Sequence, residues 1–466
     1  MNKLRNTFFY ILIIGLFSFF IYQIISTGQN LQEGKSIVSI IQEQGALESF
    51  IESLVDNIQH PVGLLLLQII VIIIVARLFG LLFKKIGQPT VIGEILAGIV
   101  LGPSLLGAYM PEVSSFLFPA ESLGNLSILS QIGLVLFMFV IGMELDLKLL
   151  KNKAHDAVVI SHASIIIPFT LGVGLAYFIY TNHAPEHVSF SSFALFIGIS
   201  MSITAFPVLA RIIQERGIHK TKVGAIAITC AAADDITAWC LLAAVIAVVK
   251  AGSFVSSLYT IALAILYVLL MIKLVRPFLI KIGKKYGIEK GFDKRLVVIF
   301  FLALLISSFV TEIIGIHALF GAFMAGVIMP DETEFRNRFI GKIEDIALVL
   351  LLPLFFVISG LRTEIGLIND WELWQITGFI ILIAIVGKLV GSAMAAKFVG
   401  QSWRDSLTIG ALMNTRGLME LVVLNIGYDL GILGSEIFAM MVIMALVTTF
   451  MTGPLLNLIN KLSVKA

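Results

Sequence analysis

Two adjacent aspartates, Asp234 and Asp235, stand in the middle of the apolar run CAAADDITAWC. On a helix of 3.6 residues per turn their carboxylates project about 100° apart, so both reach one cavity. An aspartate at the centre of a membrane helix costs roughly 2.5 to 3.5 kcal/mol, so two together imply a use or a partner. Burial and mutual repulsion both oppose the second negative charge, and one of the pair therefore readily takes up a proton. A carboxylate that holds either a proton or a monovalent cation, but not both, couples two opposite fluxes without ATP. Lys388, in the middle of ILIAIVGKLVGSAMAA, is too deep to reach water. Pairing with one aspartate lowers the cost of burying all three charges and leaves the other carboxylate free for a cation, although a purely structural pair is the alternative.

Such groups need elements that bring them together. Unsatisfied backbone costs several kcal/mol in hydrocarbon, so non-helical backbone at membrane depth marks a cavity or a protein-buried site. Two breaks stand out: Ser202, Thr204 and Pro207 in SITAFP, and Asn414, Thr415, Arg416 and Gly417 in NTRG. If they cross, opposed half-helix ends of unlike partial charge meet near the midplane and can host an ion. Arg416 and Glu420 are four apart on the second broken span, and Glu94 lies in the first span of the opposite half. These are supporting charges that balance the half-helix ends. For either break alone, a kink that only aids packing explains the residues as well.

Of 466 residues, 58% are hydrophobic and 13% charged, where a soluble protein carries charge on about a quarter. About 13 to 14 apolar stretches of spanning length recur along the whole chain, so the fold class is an all-α polytopic membrane protein. A net charge of +2 gives no nucleic-acid surface. Cys230 and Cys240 lack a second pair for a metal site or disulfide framework, and GVGLAY near residue 172 has no strand before it, so neither a cofactor nor a resident metal is expected. With both termini cytoplasmic, 26 of the 32 Lys and Arg residues fall in inside loops or inner span ends, the longest loop running from about 276 to 295. The organisation predicted is an uncleaved anchor and external interfacial segment over 1–60, a transmembrane domain over 61–460 and a short cytoplasmic tail over 461–466.

The transmembrane domain repeats itself. LAGIVLG at 96–102 resembles MAGVIMP at 324–330, and LFMFVIGMELDL, starting at Leu136, resembles LFFVISGLRTEI, starting at Leu354. The two broken spans, SITAFPVLA at 202–210 and LMNTRGLME at 412–420, follow in the same order. Repeat one covers about 88–250 and repeat two about 315–456, five spans each. An odd number of crossings turns the second copy upside down, the inverted-repeat plan of secondary transporters.

Five motifs carry a resemblance: GQPTVIGEILAGIVLGPSLLG at 87–107, AFPVLARIIQERG at 205–217, AAADDITAW at 231–239, GIHALFGAFMAGVIMP at 315–330 and MNTRGLMEL at 413–421. Together they resemble the monovalent cation:proton antiporters of the Kef and bacterial sodium-proton exchanger type, with the plant cation/proton exchanger branch, over about 61–460. The match is to the transport domain, without the C-terminal nucleotide-binding domain of the Kef channels. The resemblance implies the sodium-proton antiporter fold, two inverted five-helix repeats with crossed discontinuous helices, in which a transport domain moves against a dimerisation domain. It implies Asp235 as the main cation and proton carrier, Asp234 as its neighbour, Lys388 as the partner of Asp234, and Thr204 with Asn414 to Arg416 at the crossing. A homodimer in the inner cell membrane, contacting lipid and exchanging Na+ or K+ for H+, is what it predicts. The Asp-Asp pair is similar to that of electrogenic exchangers.

The function expected is therefore secondary antiport, sodium favoured, not enzymatic catalysis. Potassium-proton exchange is the first alternative, since both ions accept the same oxygen ligands. An intramembrane aspartyl protease is remote, because its two acids must face each other from different helices about 3 Å apart. A channel has no need of a carboxylate that alternates between proton and ion.

Overall fold

The computed structural model describes residues 2–29, 31, 46–144, 154–218, 221–251, 254–285, 294–330 and 333–464. It divides into two compact units, one ending at His60 and one beginning at Pro61. The first unit holds α1 (Asn2–Gln29) and α2 (Ala46–Gln59). α1 is apolar over most of its length, and α2 carries Leu47, Phe50, Ile51 and Leu54 at helical spacing.

In the second unit the chain forms helices because each backbone group must be satisfied within its own segment. Besides the short helices Leu106–Tyr109 and Pro111–Leu117, they are α3 (Pro61–Lys85), α4 (Thr90–Leu101), α5 (Ala120–Glu144), α6 (Ala154–His183), α7 (Phe190–Ser202), α8 (Phe206–Glu215), α9 (Lys222–Ala251), α10 (Phe254–Leu270) and α11 (Arg276–Lys285). Then follow α12 (Lys294–Ile314), α13 (Ala318–Val327), α14 (Thr333–Asp345), α15 (Leu352–Leu361), α16 (Trp371–Ile385), α17 (Gly391–Phe398), α18 (Trp403–Met413), α19 (Leu418–Asp429) and α20 (Ser435–Val464). Among the described residues eleven helices are long and apolar enough to cross a membrane. The pair α18 and α19, bent by 41°, is long and apolar enough only when taken together. The other two segments expected from hydropathy are α13, of ten residues, and the broken pair α7 and α8.

Packing sorts these helices into two bundles. α3, α4, α5, α12, α13 and the α14–α15 rod make one, here called the scaffold. α6, α7, α8, α9, the α16–α17 rod, α18, α19 and α20 make the other, the core. α10 packs on α9 on one side and on α12 on the other, joining core to scaffold. The basic stretch expected as a loop from about 276 is instead helical to Lys285, because α11 continues α10 through the π turn Met271–Val275 and buries Leu279 while exposing Lys281. Residues 286–293 lie outside the described residues.

The repeat is visible in the scaffold's closest contacts. α4 crosses α15 where Gly98 lies on the backbone of Val357 and Gly360, and α5 crosses α13 where Gly142 lies on Phe323 and Gly326. The aligned motifs pair Gly98 with Gly326 and Gly142 with Gly360. Each contact is thus the image of the other under an exchange of repeats. Small residues are needed at both, since helices in lipid gain little from apolar contact alone and associate by close backbone approach.

A cavity of about 470 Å³ opens between the bundles at one end, lined from the scaffold by Glu312, His317 and Arg362 and from the core by Lys250, Asn425 and Asp429. We call this the acidic end. At the opposite, basic end the gap closes to about 20 Å³ beside Gln88, Arg216 and Gly453. There Arg216 donates to Asn457 Oδ1 at 2.6 Å and to the Gly453 carbonyl at 3.0 Å, and Gln88 Nε2 donates to the Phe450 carbonyl at 3.4 Å.

Candidate ion-binding site

The two broken spans cross. α7 stops at Ser202, and Ile203 takes an extended conformation before α8 starts at Phe206. α18 stops at Met413 and α19 starts after Gly417. The Ala205 N–H donates to the Thr415 carbonyl at 3.0 Å, and the Thr204 hydroxyl lies 3.3 Å from the Met413 carbonyl. Gly417 has φ 153° and ψ −129°, a conformation for which only glycine lacks a steric penalty. Pro207 is the second residue of α8, where its missing N–H costs no helical bond.

Half-helix ends in a dry interior need partners, and Arg416 supplies them. Its guanidinium donates to the carbonyls of Ser200 at 3.1 Å and Met201 at 2.7 Å, at the negative end of α7. It also pairs with Glu420 at 3.0 Å, which stands in the first turn of α19. Thr449 of α20 closes the arrangement by accepting from the Arg416 N–H and donating to its carbonyl, while Thr415 and Thr452 share a hydroxyl contact of 3.2 Å. Ser202 turns inward to its own helix, donating to the Gly198 carbonyl at 2.7 Å. Glu94 is on α4 of the scaffold, beside Gly80 of α3, whereas the crossing belongs to the core.

The aspartates stand on α9 alongside this crossing and are 0% and 1% exposed. Their surroundings differ. Asp234 Oδ1 accepts from Ser161 at 2.6 Å, and Oδ2 accepts from Ser164 at 2.6 Å, Thr204 at 2.8 Å and Lys388 at 3.1 Å. Lys388 also donates to Thr204 at 2.6 Å and reaches Ser164 at 3.4 Å. Its position inside the π turn Val386–Val390 joins α16 to α17, a wide turn of the kind often found at functional sites. Four donors converge on the two oxygens of this one carboxyl group.

Neither oxygen of Asp235 makes a well-formed hydrogen bond among the described residues. The Phe206 N–H, the first of α8, faces it. Asn414 likewise has both amide atoms without a partner among the described residues and is 0% exposed. A buried polar group left without a partner costs about 1–3 kcal/mol, so these two carry open hydrogen-bonding capacity beside the crossing.

The expected pairing of Lys388 with Asp234 is therefore present, and Thr204 and the Asn414 to Gly417 stretch meet at the crossing. Ser161 and Ser164, which the motifs do not single out, also join the site through their bonds to Asp234. Their signal is two serines three residues apart in an apolar span, which puts both on one helix face.

A family model described as sodium/hydrogen exchanger, transmembrane, matches residues 70–460. The Na(+)/H(+) antiporter NhaS4 of Synechocystis sp. is 44% identical over 393 residues, covering 84% of this chain and 96% of the relative. Cation/H(+) antiporter 17 of Arabidopsis thaliana is 41% identical over 407 residues, 87% of this chain. The chain spans about half the length of that plant relative (49%). Among solved structures, the sodium proton antiporter MjNhaP1 of Methanocaldococcus jannaschii superposes with a TM-score of 0.59 at 15% identity, covering 85% of this chain and 96% of that one, which establishes the shared fold. By the extent of the family match and the identity to relatives of this length, the chain belongs to the sodium/hydrogen exchanger family.

Proposed function

We propose that this protein is a secondary active antiporter that exchanges sodium for protons, with Asp235 carrying the two in turn. One observation carries the assignment of roles: the neighbouring aspartates are equally buried, yet Asp234 is held by four donors and Asp235 by none of the side chains around it. Asp234 serves as the fixed anion that keeps Lys388 in place. Asp235 is the carboxylate with open coordination, able to take a proton or to offer oxygens to a small cation. Competition between the two at one group couples the opposite fluxes.

Access is to be supplied by the bundles. A cavity open at the acidic end and closed at the basic end favours a cycle in which the core slides against the scaffold and exchanges the open end for the closed one. The excess of Lys and Arg at the basic end supports placing that end, and both termini, in the cytoplasm of an inner cell membrane. Pairing of two copies through their scaffolds accords with the motif resemblance and is checked by the mass of the solubilised particle. Sodium is favoured by the name and full-length coverage of the cyanobacterial relative.

The test is proton movement in everted vesicles on adding NaCl, KCl or LiCl. Wild type dissipates an imposed pH gradient on adding NaCl, and Asp235→Asn does not. Exchange that survives in Asp235→Asn overturns the assignment, and a response confined to KCl replaces sodium by potassium.

A further inference from the structure

We propose that Asn414 is a ligand of the transported cation and sets which monovalent cation is preferred. The inference rests on the antiport reading and adds a residue to the site. Asn414 lies in the break between α18 and α19. The residue before it, Met413, presents its carbonyl to Thr204, and the residue after it, Thr415, presents its carbonyl to the Ala205 N–H. Thr204 in turn donates to Asp234, and the residue after Ala205, Phe206, turns its N–H toward Asp235. Asn414 and Asp235 are therefore both set against the same three-residue stretch, 204–206.

Every other polar side chain of the crossing has a partner, Glu420 through its ion pair with Arg416 alone. Thr204, Thr415, Arg416, Thr449 and Thr452 are bonded to one another or to backbone. Asn414 is bonded to nothing among the described residues through either amide atom, although its backbone N–H completes the last turn of α18. A side chain used only to hold the crossing together would be expected to have such bonds. An amide oxygen is a hard, neutral donor of the type that alkali cations accept, and one carboxylate supplies at most two of the several oxygens such an ion requires. A neutral ligand beside a single ionised carboxylate also leaves the charge balanced when a monovalent cation binds. The spacing between the two then weighs a small ion against a larger one.

The experiment is the apparent KM for Na+, K+ and Li+ and the maximal rate, measured separately in proteoliposomes for wild type, Asn414→Leu, Asn414→Ala and Asn414→Gln. We expect Asn414→Leu to raise the Na+ KM by about tenfold or more, a loss of the size expected for one buried polar contact, with a smaller fall in maximal rate. Asn414→Gln, which keeps the amide but lengthens it, recovers binding with an altered Na+ to K+ ratio. Unchanged KM values and an unchanged ion ratio in all three variants overturn the proposal. If Asn414→Leu fails to insert, the shift in melting temperature that NaCl produces in solubilised Asn414→Ala is read against wild type: a reduced shift supports the ligand role, and a lower melting temperature with the full NaCl shift assigns Asn414 a structural role and overturns it. A wild type with neither cation-driven proton flux nor a cation-dependent melting shift would instead count against the antiport reading itself.

Discussion

Hydroxyls are what most distinguish the surroundings of the two aspartates. Ser161, Ser164 and Thr204 point three O–H donors at Asp234, so the ammonium of Lys388 is one contributor among four. Hydrogen bonds to a charged acceptor contribute about 1.5–3 kcal/mol each, and Ser161→Ala and Ser164→Ala should each lower the melting temperature of the purified protein accordingly. Ser392 and Ser406 are the controls. They are as deeply buried, but their hydroxyls have no partner among the described residues. Alanine at either should cost little or nothing, and an equal loss at all four positions would mean that the Asp234 contacts are not special. Lys388→Ala is more severe, since removing one side of a buried pair costs about 3–5 kcal/mol. Thermal unfolding of Lys388→Ala within a degree or two of wild type would show that the hydroxyls alone hold Asp234.

Among the elements, the scaffold crossings show how much of the fold a sequence declares. Apolar stretches of spanning length announce helices, and the glycine motifs announce the repeat, because Gly98, Gly142, Gly326 and Gly360 recur at matched places. The breaks at Thr204 and Asn414 were legible for the same reason: helix breakers and polar groups at corresponding depth are too costly to occur without purpose. Other features were not. The π turns at Met271–Val275, Ile346–Leu351 and Val386–Val390 leave no mark in hydropathy, which reports how apolar a stretch is and not how it winds. The extension of α11 to Lys285 was hidden by its lysines, and the serines on α6 by the absence of charge. Methyl groups test the crossings. At Gly98 and Gly360 a Cβ falls on backbone of the facing helix, and at Gly142 and Gly326 the same happens in the symmetry-related contact. Alanine at any of the four should destabilise by about 1–3 kcal/mol, whereas Gly124→Ala and Gly378→Ala, with open space around the new methyl, should be neutral. Thermal melts of the six variants check this, and a neutral Gly98→Ala would mean that the crossing is looser than described.

For the whole molecule the decisive feature is that one end of the inter-bundle gap is open and the other closed, yet even the open end is bridged. Arg362 at the end of α15 pairs with Asp429 at the end of α19 at 2.9 Å, donates to Asn425 Oδ1 at 2.8 Å and lies 5.4 Å over the Tyr428 ring. Asn425 returns the contact by donating to Ser359 of α15 at 2.8 Å. At the other end Gln88 of the scaffold reaches Phe450 of the core. Neither bridge could be read from sequence, because each joins residues far apart in the chain, 63 positions for Arg362 and Asn425 and 362 for Gln88 and Phe450. Beside the open cavity, in the turn before α13, stands His317 with φ 79°. Burial holds its imidazole below the ordinary histidine range, with Lys250 adding to the effect and Glu312 and Asp429 opposing it. Its Nδ1 accepts from the Leu319 N–H at 3.4 Å, a bond open only to the neutral ring. Because the unfolded chain binds this proton more readily, the stability His317 contributes is present above its unfolded value and lost as the pH falls through the lower folded one. His317→Gln should flatten that acidic decline in a pH series of melting temperatures. The bridges make a directional prediction. If sliding of the core trades one seal for the other, Asp429→Asn weakens the bridge seen here and shifts molecules toward the form open at the basic end. A cysteine placed at Gly453, in a chain with Cys230 and Cys240 replaced by alanine, then reacts faster with a membrane-impermeant maleimide applied from the basic end, and Gln88→Leu raises it further by loosening the opposing seal. Equal reaction rates with and without Asp429→Asn would show that the Arg362 bridge does not take part in the movement.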